Sequence, residues 1–320
     1  MNSDKCIVNG RNIFLGKDLV KQVVINSCMT VCVALAIWLQ LKNGRFDFFR
    51  RCIHGSCSNR CRICGTAYRK HVGCICYSNR PGCGPFHGTA IVYIVGRLPI
   101  IICTIGMTLL YESLTYLLFG GQGIRGFYST PALSQMGRMP LVLLPAVLAM
   151  ILFVVYTYFT ASGRRGKILA NNQSAGVNIG INENKNVFVS YIFSGLIIGL
   201  AAIVYISQND VTPQSGLATS SIMFSYIVPV FMGTFIGLAS NDVIGIAIAA
   251  IGMEILNYGL NCLNLGAGGW QQIIMGIFVL GFYTFSSQSG RIAAFFEKTK
   301  SSKSIKKGNE ILLQMEMRTE

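Results

Sequence analysis

The chain has 320 residues, of which 52% are hydrophobic and only 12% are charged, and its formal net charge is +15. Soluble domains carry about 25% charged residues, so this composition excludes an ordinary soluble domain and indicates a membrane-embedded protein. The positive charge lies largely in short runs beside apolar stretches, where lysine and arginine anchor cytoplasmic loops, and we therefore expect a lipid membrane and no nucleic acid as its partner.

Seven apolar stretches are long enough, or nearly so, to cross a membrane as helices. A spanning helix needs about 20 mostly apolar residues, because it pairs its backbone polar groups internally. The stretches are residues 20–41, 98–119, 141–159, 187–207, 222–240, 243–263 and 270–286. They predict an all-α, polytopic transmembrane helical bundle in the cytoplasmic membrane, whose first readable span lies in the N-terminal segment, residues 1–48.

Residues 49–88 differ abruptly from the rest of the chain. They hold seven of the twelve cysteines and all three histidines, and no leucine occurs between Leu41 and Leu98. The Cys-x-x-Cys spacing of Cys61 and Cys64 is typical of a zinc site. Together with Cys74 and Cys76, these cysteines would make a metal-binding or redox loop.

Two other interpretations of residues 49–88 remain open, a soluble insertion and a stretch translated in the wrong reading frame. Codons that encode residues 49–57 also permit, one nucleotide later, Phe-Gly-Gly-Ala-Ser-Met-Val-Leu-Ala, which is typical of a membrane helix. Sequencing the encoding DNA across codons 45–92 distinguishes the interpretations.

Charge predicts the topology of the transmembrane domain, residues 89–290. No lysine or arginine occurs from Asn186 to Gly290, whereas basic residues precede and follow this block. Both flanks are therefore predicted to be cytoplasmic, and four spans between them return the chain to the side it left. Residues 291–320 are predicted to form a basic cytoplasmic tail.

Glu112 and Glu254 are carboxylates within predicted spans. Burying a carboxylate in a membrane is costly, so each either makes a structural hydrogen bond or contacts a transported solute. Together with Asn257 and Asn261, they are the candidate residues of a translocation path. The chain shows neither a catalytic set nor a phosphate-binding loop, so we expect no enzyme and no cofactor.

A long polar segment, residues 161–186, separates the third and fourth spans. It is basic, yet it also carries the apolar residues Ile168, Leu169, Ala175, Val177, Ile179 and Ile181. A loop with that apolar content is predicted to dock onto a partner, with small residues permitting close approach and apolar residues supplying burial.

Within this segment, the sequence NQSAGVNIGI at residues 172–181 resembles the cytoplasmic coupling loop of ribose-type ABC transporter permeases, which usually reads Gly-Asn-x-x-Ala-Ala and then Gly-Ile. Asn172, Ala175, Gly180 and Ile181 match this pattern, whereas Ser174 replaces the first alanine and asparagine precedes Asn172. Shorter resemblances cover most of residues 89–290: RLP at 97–99, TIGM at 104–107, YGLN at 258–261 and WQQI at 270–273.

The resemblance implies the permease subunit of an importer that moves a sugar or sugar-like solute across the cytoplasmic membrane. It also implies the partners: cytoplasmic ABC ATPase subunits, an extracytoplasmic solute-binding protein and a second permease chain, in a homodimer or heterodimer. The residues implied to couple to the ATPase are Asn172, Ser174, Ala175, Gly180 and Ile181. A membrane-anchored metal-binding or redox protein that uses the cysteine-rich stretch is the alternative function.

The family has about ten spans, and the resemblance indicates where spans are lacking. Residues 1–19 are similar to the linker that follows a first span, so we expect a span to be missing before Val20. GRFD at residues 44–47 is similar to the family's Gly-Gly-Ile-Asp, after which similarity stops until Gly96. This gap supports the reading-frame interpretation. Basic residues near the N-terminus favour a cytoplasmic start for the first span, whereas the resemblance places it outside, which leaves this orientation open.

Overall fold

The structure is a computed structural model that describes residues 17–45, 84–97, 99–118, 135, 137–209, 218–238, 241–263 and 269–287. Within these ranges the chain forms helices and no strand, which confirms the predicted all-α membrane fold. The helices are α1 (Lys17–Leu41), α2 (Gly84–Gly96), α3 (Ile100–Leu118), α4 (Leu143–Val154, continued by a π-helical turn Val155–Phe159), α5 (Ala161–Asn171), α6 (Gln173–Asn178), α7 (Glu183–Gln208), α8 (Ala218–Leu238), α9 (Asp242–Cys262) and α10 (Gly269–Ser287).

Each of the seven predicted spans coincides with a helix. Four described stretches are long and apolar enough to cross a membrane, namely Leu19–Leu41, Ile100–Leu117, Glu183–Gln208 and Asp242–Cys262. A fifth, Leu143–Phe159, bends by 72° into α5, and the described apolar parts of α8 and α10 are shorter. Helix α2 was not predicted, because it begins inside the anomalous stretch 49–88.

The chain divides into two compact units, Met1–Gln271 and Gln272–Glu320. In the first unit, α1 packs against α4, α7, α8 and α9. Its apolar window is 72% buried, compared with 28% for the corresponding window of α3. Such burial on all sides indicates that α1 is a central helix of this unit rather than a peripheral one.

Several helix ends meet on one side of the first unit. Lys42, just after α1, pairs with Asp242, the first residue of α9. The guanidinium of Arg45, which is buried, donates to the Ser190 hydroxyl of α7 at 3.0 Å. Gly44 adopts a φ of +74° and lies so close to α5 that a Cβ would come within 2.9 Å of the Ala170 Cα. Helix α1 therefore runs antiparallel to α9 and ends beside the 161–186 segment, so its N-terminus lies on the opposite side.

Helices α8 and α9 form a hairpin in which glycines permit backbone contact. A Cβ on Gly245 would come within 2.2 Å of the Gly233 carbonyl oxygen and 2.5 Å of the Gly237 nitrogen. A Cβ on Gly233 would come within 2.5 Å of the Ile246 Cα. Small residues allow this approach in membranes, where apolar burial alone does not hold helices together.

Candidate functional site

The 161–186 segment leaves the line of α4 at a sharp bend. Thr160 has an extended backbone and caps α5: its hydroxyl accepts from the Gly163 backbone nitrogen at 3.1 Å and donates to the Tyr156 carbonyl oxygen at 2.6 Å. A Cβ on Gly163 would come within 2.2 Å of that same carbonyl oxygen. The bend therefore requires both a capping residue at position 160 and glycine at position 163.

Helix α5 buries one face and exposes the other. Its buried residues Gly163, Gly166 and Leu169 recur every three residues, as one side of a helix does. Gly166 faces Asn43 after α1, and the Ser162 hydroxyl is hydrogen-bonded to the Asn186 side chain of α7 at 2.6 Å. These contacts attach α5 to the C-terminal end of α1 and to the first turn of α7.

The residues of the matched motif shape the short helix α6. The Asn172 side-chain oxygen accepts from the Ala175 backbone nitrogen at 3.1 Å and from the Ser174 hydroxyl at 2.8 Å, so Asn172 begins the helix as its N-cap. Gly180 follows the helix with a φ of +89°, and the Ile181 backbone nitrogen donates to the Gly176 carbonyl oxygen. Such a left-handed glycine ends a helix at little cost.

The exposed side chains of the segment are both apolar and basic. Ile168, Val177 and Ile179 have 46%, 47% and 76% of their surface exposed. The exposed basic residues of the same segment are Arg164, Arg165, Lys167 and Lys185. We call Ile168, Val177 and Ile179 the apolar face. Of the six apolar residues noted in the sequence, Leu169 instead packs inside, under Gly176.

A cavity of about 480 Å³ lies between this segment and α2. The carboxylate of Glu183 borders it and accepts from the Gln173 amide at 2.7 Å and from the Tyr93 hydroxyl at 3.2 Å. Glu183 thereby connects α6 to α2 at the start of α7. Sequence reasoning missed this residue, because an acidic residue in the first turn of a helix is common for electrostatic reasons alone.

The candidate path residues lie on two helices. Glu254 of α9 accepts from the Thr30 hydroxyl of α1 at 2.7 Å, and Asn257 accepts from the Gln271 amide at 3.1 Å. Asn261 is exposed, and Glu112 is buried on α3 with a partner of its own. Glu254 and Asn257 therefore belong to polar contacts of the first unit, whereas Glu112 lies on a different helix.

The structure adds polar residues of α1 to this group. The Gln22 amide donates to Asn26 at 3.2 Å, and Thr30 follows four residues later with its bond to Glu254. Spacing by four places all three on one side of the helix. The signal was present in the sequence as polar residues at a period of four in an apolar span, but nothing there indicated which helix they face.

The alternative metal site cannot be placed. Cys61, Cys64, Cys74 and Cys76 lie outside the described residues, as does the rest of 49–83, and the reading-frame interpretation stays a prediction. Within the described ranges, no group of three His, Cys, Asp or Glu side chains is arranged to hold a metal ion.

Comparison with known proteins identifies the kind of chain to which these features belong. Residues 86–282 match the model of a family described as branched-chain amino acid transport system / permease component. The autoinducer 2 import system permease protein LsrC of Yersinia enterocolitica is 27% identical over 226 residues, 68% of this chain and 59% of that protein. The ribose import permease protein RbsC of Escherichia coli K12 is 27% identical over 200 residues, 60% of this chain and 61% of that protein.

A third relative, the autoinducer 2 import system permease protein LsrD of Photorhabdus temperata, is 28% identical over 192 residues, 57% of each chain. The chain thus spans about three fifths of the length of these curated relatives. No solved structure gives a significant match to it.

Proposed function

This chain belongs to the family of branched-chain amino acid transport system permease components, and from that premise we propose that it is the membrane subunit of an ABC importer for a sugar or sugar-like solute. The ribose and autoinducer 2 permeases among its relatives favour this substrate class over the amino acids of the family description. The subunit performs no covalent chemistry; separate cytoplasmic ATPase subunits drive it, and an extracytoplasmic binding protein delivers the solute. Two permease chains, identical or different, form the membrane part.

The observation that carries this proposal is the 161–186 segment. It bends out of α4 by 72°, is attached to α1 and α7 by side-chain contacts, and exposes both the apolar face and four basic side chains. Exposed apolar side chains on a rigid polar support are typical of a protein-binding surface. This face docks into a groove of the ATPase, whose movement during ATP hydrolysis displaces the segment.

The contacts at the end of α1 support an orientation for the whole unit. If the 161–186 segment is cytoplasmic, so are the C-terminal end of α1 and the start of α9, because Gly44 lies against Ala170 and Lys42 pairs with Asp242. The N-terminus of α1 then lies outside, as the family resemblance implied and contrary to the charge of residues 1–21. Lys42 and Arg45 restore the usual excess of cytoplasmic positive charge.

Glu254 marks the solute path in this proposal. It lies 12 residues from the start of α9, which is about 18 Å along a helix and near the middle of a membrane about 30 Å thick. Burying a carboxylate at that depth costs free energy, so the carboxylates found there commonly have a function. It would accept hydrogen bonds from solute hydroxyl groups, next to the amides of α1.

We expect Glu254→Ala to lower solute uptake by the assembled importer at least about 10-fold, while Glu254→Gln, which still accepts from Thr30, loses about 3-fold. The reason is that alanine removes the acceptor whereas glutamine removes only its charge, and a hydrogen bond to a charged group contributes about 1.5–3 kcal/mol. Uptake of radiolabelled ribose or another candidate solute into proteoliposomes measures the effect. Ile255→Ala, at an exposed neighbouring position, is the matched control and should transport normally. Unimpaired uptake by Glu254→Ala would remove this residue from the path.

A further inference from the structure

Helix α1 contacts the 161–186 segment at one end and Glu254 further along. Near its C-terminal end, Gly44 lies against Ala170 of α5, and the Asn43 side chain accepts from the Tyr156 hydroxyl at 3.2 Å. Thr30, 12 residues before Lys42, donates to Glu254. A displacement of α5 therefore acts on α1 directly and reaches Glu254 through α1.

Lys42 joins α1 to two other helices at this end. Its ammonium group pairs with the Asp242 carboxylate of α9 and lies 5.8 Å from the centre of the Phe153 ring of α4. The indole nitrogen of Trp38 donates to the same carboxylate at 3.2 Å. Asp242 thus accepts from two donors, Trp38 of α1 and Lys42 just after it, which are about one turn apart.

A second line of contacts runs from α5 to the start of α9. The Lys167 ammonium group lies 5.9 Å from the centre of the Tyr158 ring, and the Tyr158 hydroxyl donates to the Asn241 side chain at 3.4 Å. Asn241 immediately precedes Asp242. The first line of contacts therefore ends at the pair formed by Lys42 and Asp242, and the second ends at the residue next to Asp242.

The register of α1 and α9 fixes the position of this pair relative to the Thr30–Glu254 hydrogen bond. Lys42 pairs with Asp242 and Thr30 bonds to Glu254, so the two contacts are separated by 12 residues on each helix. Twelve residues correspond to about 18 Å of helix on both sides, so the two contacts are satisfied together without strain. Sliding or tilting one helix relative to the other would break one of them.

We propose that Lys42 and Asp242 are positioning residues that fasten the end of α1 to the start of α9, so that movement of the 161–186 segment reaches Glu254. This inference rests on the proposed function. The side chains are 18% and 26% exposed, so solvent screens them less than an open surface pair. Each charge also lies at the helix end where the backbone dipole favours it: Asp242 at an N-terminus and Lys42 after a C-terminus.

The test compares solute transported per ATP hydrolysed by the complete importer, reconstituted in proteoliposomes. We expect K42M and D242N to lower this ratio about 10-fold while basal ATP hydrolysis and the thermal unfolding midpoint stay near wild type. K42R keeps the charge and should retain the ratio. The reversed pair K42D/D242K should recover about 3-fold relative to the single variants, but not fully, because the reversed charges oppose both helix dipoles.

A normal ratio in K42M and D242N, or a reversed pair no better than either single variant, would overturn the positioning role. If a charge variant fails to assemble, W38F is measured instead, because it removes one donor to Asp242 without changing the charge. A loss of about 3-fold in solute transported per ATP hydrolysed supports the inference, and a wild-type ratio refutes it. A wild-type complex without any solute-dependent ATP hydrolysis would instead refute the proposed function.

Discussion

Replacing Gly245 with leucine is expected to abolish recovery of folded protein. The nearest atoms to a Cβ at this position are backbone atoms of Gly233 and Gly237, at 2.2 to 2.9 Å. Backbone atoms of a packed helix cannot rotate aside as a flexible side chain can, so α8 and α9 would have to separate. Overpacking a close contact commonly costs about 1–3 kcal/mol, and here the expected cost is at the upper end or beyond.

The matched control for this prediction is Gly252→Leu, on the same helix. A Cβ at Gly252 meets nothing within 4 Å, so the substitution adds only exposed apolar surface and removes a residue of low helix propensity. Size-exclusion chromatography and thermal unfolding in detergent measure both variants. Gly245→Leu that elutes and unfolds like Gly252→Leu would show that the close approach of α8 and α9 does not stabilise the protein.

The second large effect is expected from Ile179→Asp in the apolar face. Ile179 has 76% of its surface exposed, so the substitution should leave the permease folded and inserted. If the ATPase covers this side chain, losing its burial costs about 2 kcal/mol, which corresponds to about 30-fold in affinity, and a buried carboxylate adds to this loss. We expect solute-stimulated ATP hydrolysis of the complex to fall at least about 10-fold.

Asn171→Asp serves as the control, because it places the same new charge at an exposed residue of the same segment without removing apolar surface. ATP hydrolysis with saturating solute and binding protein is measured for both variants, alongside the amount of permease in the membrane. Equal stimulation in Ile179→Asp and the wild type would exclude the apolar face from ATPase docking.

The spans were predictable because each needs only a run of about 20 apolar residues, and that requirement is local. The boundaries of α7, Glu183–Gln208, and of α9, Asp242–Cys262, lie close to the predicted 187–207 and 243–263. The break between α5 and α6 was not foreseen, since it depends on the N-cap Asn172, and asparagine is common in polar loops of every kind. Helix α2 was missed because its first residues lie in a stretch of unusual composition.

Contacts between helices could not be predicted from the sequence. The polar residues Gln22, Asn26 and Thr30 were visible on α1, but the partner of Thr30 is 224 residues away in sequence. The sequence also left the orientation of α1 open, because the local charge and the family resemblance predicted opposite orientations. The contact of Gly44 with Ala170 and the pair of Lys42 with Asp242 place the C-terminal end of α1 beside the 161–186 segment and the start of α9.

Labelling in intact cells can determine on which side of the membrane the 161–186 segment lies. Cysteines introduced as Ile179→Cys and, at the opposite end of α9, Leu263→Cys are both exposed and can be treated with a membrane-impermeant maleimide. Mass spectrometry of the labelled peptides separates them from the native cysteines. We predict that position 179 is labelled only after the cells are permeabilised, whereas position 263 is labelled from outside. Labelling of position 179 in sealed cells would place the segment on the extracellular face and contradict its coupling to a cytoplasmic ATPase.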